Sequence, residues 1–301
     1  MSPSSPAAIA RRIRRRVLDH TVRHDGGYLS QACSAAEILA TLYAGVMRLG
    51  PSAAPPVPPP FAGVPGLELS GYQTGAAYNG PRRPDLDRFI LAPVHYALVL
   101  YAVLVETGRM AEDGLAQFNQ DGSTVEMIGA EHSPGHEVTS GSLGQGLSQA
   151  AGIALGRRLK GETGRTWVFM SDGEFQSGQT WETLHFLAYH RLDTVGIYVD
   201  VNGQQCDGRM DDVMTIEPLS AKLTAFGARV AVVNGHDVEA LAAPAREPND
   251  GRPLVVLAYT DPARGLPILE DRRPRLHYVR FSGEAERERF RAALAAFDAE
   301  E

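Results

Sequence analysis

From about Ala8 to Leu49 apolar residues recur at helical intervals, with Ala35, Ile38, Leu39, Leu42, Tyr43 and Val46 on one face. Ser34 ahead of Ala35-Ala36-Glu37 reads as a capping box opening a helix. The pattern stops at Gly50, and as far as Gly66 the chain turns to proline and alanine, including Pro55-Pro56 and Pro58-Pro59-Pro60, which predicts an extended surface excursion. Val94 to Gly108 is apolar nearly all round and predicts a buried helix. Gly141 to Gly156 is rich in small residues and predicts a glycine turn leading into a closely packed helix. Short apolar runs then alternate with helical stretches. Trp167 to Met170, Val195 to Val199, Ala228 to Val233 and Leu254 to Ala258 read as strands, and Thr180 to Tyr189 and Val238 to Ala243 as helices. Such alternation predicts an α/β fold: a doubly wound, mostly parallel sheet with helices on both faces, in a single domain over residues 1–301 with the proline-rich excursion at about 50–66. No internal repeat is present.

Composition narrows the function classes. The chain has 301 residues, 44% of them apolar, enough for a large buried core. Its formal charge of -7 argues against a nucleic-acid surface, and the run Arg11 to Arg16, interrupted by Ile13, reads as the solvated face of a helix. Cys33 and Cys206 lie far apart without metal-type spacing, which fits a reducing compartment. No apolar stretch approaches the ~20 residues that span a bilayer, and no signal-peptide core opens the chain. A cytoplasmic protein with neither membrane nor nucleic acid as partner is expected.

In doubly wound sheets ligands bind beyond the carboxyl ends of the strands. Two predicted strands end in Ser171-Asp172-Gly173-Glu174 and in Asp200-Val201-Asn202-Gly203-Gln204. Adjacent strand ends would bring Asp172 and Asn202 together. A carboxylate, an amide oxygen and a backbone carbonyl make a low-charge oxygen site suited to Mg²⁺ or Ca²⁺, with positions left for two phosphate oxygens. Gly173 would let the backbone approach those phosphates, and a helix N-terminus beyond it would favour their charge. Asp-Gly and Asn-Gly are each ordinary turn dipeptides; their joint placement after two strands is what gives the pair its specificity.

These residues resemble the N-terminal, cofactor-binding part of transketolases, and specifically the form split into two chains. The resemblance covers most of residues 10–280 and rests on Val138 to Gly146, on Asp172-Gly173-Glu174 with Trp181-Glu182, and on Asn202-Gly203-Gln204 with Asp207-Gly208. Weaker matches are His24-Asp25-Gly26-Gly27, Asp87-Arg88-Phe89 with His95, Gly235-His236-Asp237, and His277. The resemblance implies thiamine diphosphate as cofactor, with Mg²⁺ (or Ca²⁺) on Asp172, Asn202 and the Gln204 carbonyl. It places Gly173, Glu174, His95 and His277 at the diphosphate or the reacting carbon, Gly141 and Leu143 against the cofactor rings, and His24 on the donor sugar. His24, His95 and His277 are thus the implied catalytic histidines, in keeping with the proton transfers that ketol chemistry needs near neutrality. His132 reads as a loop histidine, and His20, His185 and His190 as surface or packing residues.

In the family the activating glutamate sits on a pyrimidine-binding domain that follows the matched region, whereas this chain stops at Glu301. The implied enzyme therefore needs a separate C-terminal-half subunit, in a two-plus-two heterotetramer, and transfers a two-carbon ketol unit from a ketose to an aldehyde. The sequence departs from the family pattern at Ser171 and Val94, where glycine is usual, at Ser177 in place of a glutamate, and at Tyr278 after the last histidine. These positions bear on substrate identity. Two other readings remain: the alpha subunit of a 2-oxo-acid dehydrogenase, which shares the Asp-Gly and Asn clamp, and a non-catalytic cofactor-binding scaffold.

Overall fold

A computed structural model describes residues 5–63 and 72–299. At its centre five parallel strands, β1 (Arg88–Leu91), β2 (Thr166–Ser171), β3 (Val195–Val201), β4 (Arg229–Asn234) and β5 (Leu254–Tyr259), lie in the order β1-β2-β3-β5-β4. Alternate residues feed two cores, as the two-residue period of a strand requires. Phe89, Leu91, Trp167, Phe169, Tyr198 and Val256 face one layer, built on helices α1 (Pro6–Arg23), α2 (Leu29–Thr41) and α3 (Ala97–Glu106). Ile90, Val168, Met170, Ile197, Val199 and Val255 face the other, built on α4 (Gln145–Leu159), α5 (Gly178–Tyr189) and α6 (Leu219–Ala225). Helix α7 (Val238–Arg246) follows β4, and α8 (Glu284–Ala299) packs on α1. The expected doubly wound arrangement is therefore the observed one.

Every residue of α3 from Ala97 to Leu104 is buried, so that helix is covered all round as its composition predicts. Truncating a large member such as Leu100 to alanine would cost about 2–5 kcal/mol through lost contacts and the cavity left behind.

Three local expectations change. The continuous helical spacing of Ala8 to Leu49 is two helices, because Asp25 takes φ 60° and Gly26 φ 157°, and Gly26–Gly27 pair with Val279–Arg280 before α2 begins. Ser34 consequently lies inside α2 and does not cap it; its buried hydroxyl instead reaches across to β3. The helix expected from Val94 starts with a 3₁₀ turn, Val94–Tyr96, and becomes α-helical at Ala97. Strand β1 and helix α8 are additions to the expected elements. The described part of the proline-rich excursion is an ordered strap, whose Pro56, Pro58 and Pro59 carbonyls accept bonds from Ala111 N–H, Gln117 Nε2 and Thr124 Oγ1 at 2.7, 3.3 and 3.0 Å. Residues 64–66 of it lie outside the described residues. No helix among the described residues is long and apolar enough to cross a membrane.

Candidate active site

Register fixes the floor of the site. Ser171 of β2 is paired with Asp200 of β3, so the residues just beyond, Asp172 and Asn202, emerge side by side. They line a cavity of about 400 Å³ at the carboxyl ends of the strands. Asp172 is 1% exposed; its Oδ1 accepts from Gly173 N–H and its Oδ2 from Gly203 N–H, each at 2.8 Å. The Asn202 oxygen accepts from Gln204 N–H at 2.9 Å. Its amide nitrogen donates to the Tyr96 hydroxyl and to Asp200 Oδ2 at 3.0 and 3.1 Å.

Asp200 is the hub behind this pair. It is completely buried, and the Ser34 and Tyr96 hydroxyls donate to its Oδ2 at 2.5 and 2.8 Å while Thr260 donates to its Oδ1. Burial pushes its carboxyl up, and the four hydrogen bonds from Ser34, Thr260, Tyr96 and Asn202 pull it back. Burial and the nearby Asp200 push Asp172 up to about 7, against the bonds from the Gly203, Gly173 and Asn202 backbone. Among the described residues no arginine or lysine lines the cavity. Two buried carboxyl groups, Asp172 and Asp200, thus lie at a floor where no cationic side chain of the described residues offsets their charge.

The glycines here answer different demands. Gly144, at the start of α4, has φ 86°, and a Cβ there would fall 2.6 Å from the Ser177 hydroxyl. Gly173 is under no such constraint: a Cβ would meet only Gln205 Nε2, at 3.9 Å. The chain's own packing does not require glycine at 173, which leaves open space at the cavity wall as the reason for it. Gly141 and Leu143 also line the cavity, and Leu143 holds an apolar side chain 45% exposed at its mouth, near Ile128 at 62%.

His95 and His277 stand together in the same cavity, ring centroids 5.0 Å apart. Burial, with His277 beside it, lowers His95 to about 3. Burial also lowers His277, opposed by Asp207. Both imidazoles are thus neutral near pH 7, each with one donor and one acceptor nitrogen.

The remaining sequence-predicted residues are distributed less simply. Gln204 lines the cavity, and its side-chain oxygen is buried without a partner among the described residues. Glu174 is fully buried and does not line the cavity; its carboxylate accepts from Gly144 N–H at 3.1 Å and Ser171 N–H at 3.0 Å, tying the glycine-rich turn to the end of β2. His24 is not brought to the cavity. It closes the end of α1, with its ring 4.1 Å from His20 and Nδ1 2.9 Å from the His20 carbonyl, and faces a neighbouring cavity. His236 bridges Glu37 and the Asp261 backbone, and Asp237 caps α7. His132 lies 2.9 Å from Glu126, against Phe61.

Sequence reasoning missed Asp200, Tyr96, Ser34 and Tyr28. Asp200 carried the same strand-end signal as Asp172. Tyr28 directly follows Gly26-Gly27, at the head of α2, and that placement was obscured while the first two helices read as one.

The geometry has counterparts in known proteins. Residues 72–261 match the family described as transketolase, thiamine diphosphate binding domain. A transketolase family protein of Sinorhizobium fredii is 34% identical over 90% of this chain and 88% of its own length. The 6-deoxy-6-sulfo-D-fructose transketolase subunit of a Clostridium species is 27% identical over 86% of this chain and 85% of its own. Among solved structures, transketolase from Leishmania mexicana superposes with a TM-score of 0.69 at 23% identity, covering 99% of this chain and 45% of that one, a likeness of fold. With the paired strand-end residues and the cleft above them in place, the chain belongs to the transketolase family, as a thiamine diphosphate-binding N-terminal domain.

Proposed function

We propose that this chain is the cofactor-binding subunit of a two-chain transketolase that moves a two-carbon ketol unit from a ketose to an aldehyde. The observation that carries the reading is the juxtaposition of Asp172 and Asn202 in a cavity that also holds the neutral pair His95 and His277. The chain is taken as one domain, joined by a separate pyrimidine-binding subunit in a two-plus-two assembly in the cytoplasm. A relative's name supports a separate partner: the Clostridium protein, 27% identical over 86% of this chain, is named as a transketolase subunit.

A divalent cation, Mg²⁺ or Ca²⁺, fits the floor. As the family resemblance implies, the donor set would be one carboxylate, Asp172, with the neutral oxygens of Asn202 and the Gln204 carbonyl, all three residues lining the cavity. That set suits a hard cation with sites open to phosphate. The cation would offset the charge of Asp172 and Asp200, and the space beside Gly173 would admit the diphosphate.

Bound thiamine diphosphate supplies the carbanion chemistry. This chain's residues would position it and the substrate. Glu174 holds the Gly144 and Ser171 turns in register around the cofactor. Leu143 and Ile128, which line the cavity, would offer apolar surface to its rings. His95 and His277 offer neutral nitrogens that donate to, or take a proton from, substrate oxygens beside the reacting carbon.

The test is reconstitution with the partner chain, followed by assays of ketose plus aldehyde and, separately, 2-oxo acids with an electron acceptor. Ketol transfer that needs both chains, Mg²⁺ and thiamine diphosphate, and is lost in Asp172→Ala, is expected. Transfer by this chain alone, or full activity in Asp172→Ala, would overturn the reading.

A further inference from the structure

Two cavities adjoin at the head of α2, and Tyr28 lines both, with Met127. The main cavity holds Asp172, Asn202, His95 and His277. The second holds His20 and His24, so the histidine nearest Tyr28 in sequence opens onto the wrong side of that wall. Of this stretch, Tyr28, Ser30 and Gln31 line the main cavity; Ser30 spends its hydroxyl on the Leu276 carbonyl and Gln31 its amide nitrogen on the His277 carbonyl.

The presentation of Tyr28 is rigid. The backbone is fixed on one side by the pairing of Gly26–Gly27 with Val279–Arg280 and on the other by α2. The ring is held edge-on by Tyr278 at 4.9 Å and by His277 at 5.6 Å, with His95 at 6.1 Å. Tyr96, the other tyrosine of the cavity, spends its hydroxyl on Asp200. The Tyr28 hydroxyl makes no hydrogen bond among the described residues, although the ring is locked in place. A half-buried phenol so fixed, beside two neutral imidazoles, is a donor kept for something absent from the chain.

Resting on the transketolase reading above, we infer that Tyr28 orients the substrate: its hydroxyl donates a hydrogen bond to an oxygen of the ketose held over the cofactor, in the position that His24 does not reach. A tyrosine at this point gives a donor that stays protonated through the working pH range, whereas an imidazole would titrate. The pairing with Tyr278 closes the cavity on the side of His24 and confines the substrate to the His95 and His277 side.

The experiment uses the reconstituted two-chain enzyme with Mg²⁺, thiamine diphosphate, and glycolaldehyde as acceptor. The ketose is the best donor for wild type among fructose, xylulose and their phosphates. Tyr28→Phe should raise the ketose KM about three- to tenfold, the value of one neutral hydrogen bond, leaving the thiamine diphosphate Kd measured by calorimetry unchanged. Tyr28→His should recover part of that KM and make it pH-dependent around 6.5, a signature a purely structural role would not give. His24→Ala should change KM less than Tyr28→Phe does. Wild-type transfer with an unaltered KM in Tyr28→Phe, or a larger effect from His24→Ala, overturns the inference and leaves the transketolase reading standing. No transfer by wild type from any of these ketoses overturns both.

Discussion

Asn202 aims its amide nitrogen at Asp200 Oδ2, 3.1 Å away, and so turns its oxygen toward Gln204 and the cavity. A carboxylate behind an amide dictates which way the amide faces, because only the NH₂ end can bond to it. Asp200 therefore sets the orientation of a cavity residue without lining the cavity itself. Asp200→Asn should weaken Mg²⁺-dependent thiamine diphosphate binding by about 10–100-fold, as loss of a group that orients a metal ligand does. Calorimetric titration of the two-chain complex measures it, and unchanged affinity would deny Asp200 this role.

Gly173 separates stability from binding. A Cβ at 173 meets only Gln205 Nε2 at 3.9 Å, so Gly173→Ala should leave the melting transition within about 0.5 kcal/mol of wild type. The same methyl projects into the space proposed above for the diphosphate, and crowding there should lower cofactor affinity about tenfold or more. Parallel thermal melts and titrations check both halves; a strong loss of stability would show that the glycine serves the fold.

Glu37 ties three elements together. It pairs with Arg14 of α1, and His236, which accepts the Asp261 N–H through Nε2 at 2.8 Å, donates to it from Nδ1 at 3.1 Å. Burial works against the Glu37 carboxylate, but its bonds to His236 and Arg14 hold it below the usual range. Glu37→Ala strands the buried Arg14 charge and should cost about 3–5 kcal/mol in urea unfolding. Removing both charges, as Arg14→Met with Glu37→Leu, should recover most of that loss.

His136 sets an acid limit. It is 1% exposed, its Nε2 has no partner among the described residues, and burial lowers it to about 4. Between pH 6.5 and about 4 the unfolded chain takes up a proton that the folded chain refuses. Stability should be fully present above pH 6.5 and fall as the pH drops, by up to about 3 kcal/mol from this group. Unfolding curves from pH 7.5 to 4 measure the slope, which His136→Leu should flatten.

The sheet was legible because each central strand is a short apolar run closed by polar turn residues: Trp167 to Met170 and Val195 to Val199 could be read without any contact information. Arg88–Leu91 was not, since four residues with a charged first member fall below what a two-residue period can announce. Helix α8 was missed for the opposite reason: only Phe290 and Phe297 of its sixteen residues are buried, and charge dominates the rest. At the site, Asp172 and Asn202 were readable from strand-end logic, and Ser171 paired with Asp200 shows why that logic works. His24 is not brought to the main cavity because two residues, Asp25 and Gly26, turn the chain after α1, and Tyr28 lines that cavity instead. A left-handed residue inside an apparently continuous helical pattern leaves no periodic trace.

The proline strap along the surface has a consequence for handling the protein. A protease must draw several consecutive residues into an extended groove, with their backbone free to bond to the enzyme. Residues 51–61 carry no helix or strand, but the chain bends at Ala54, Pro56 and Val57, the carbonyls of Pro56, Pro58 and Pro59 are engaged by Ala111, Gln117 and Thr124, and the prolines offer no N–H. A stretch that looks like a cleavable tether should thus pass intact through limited digestion.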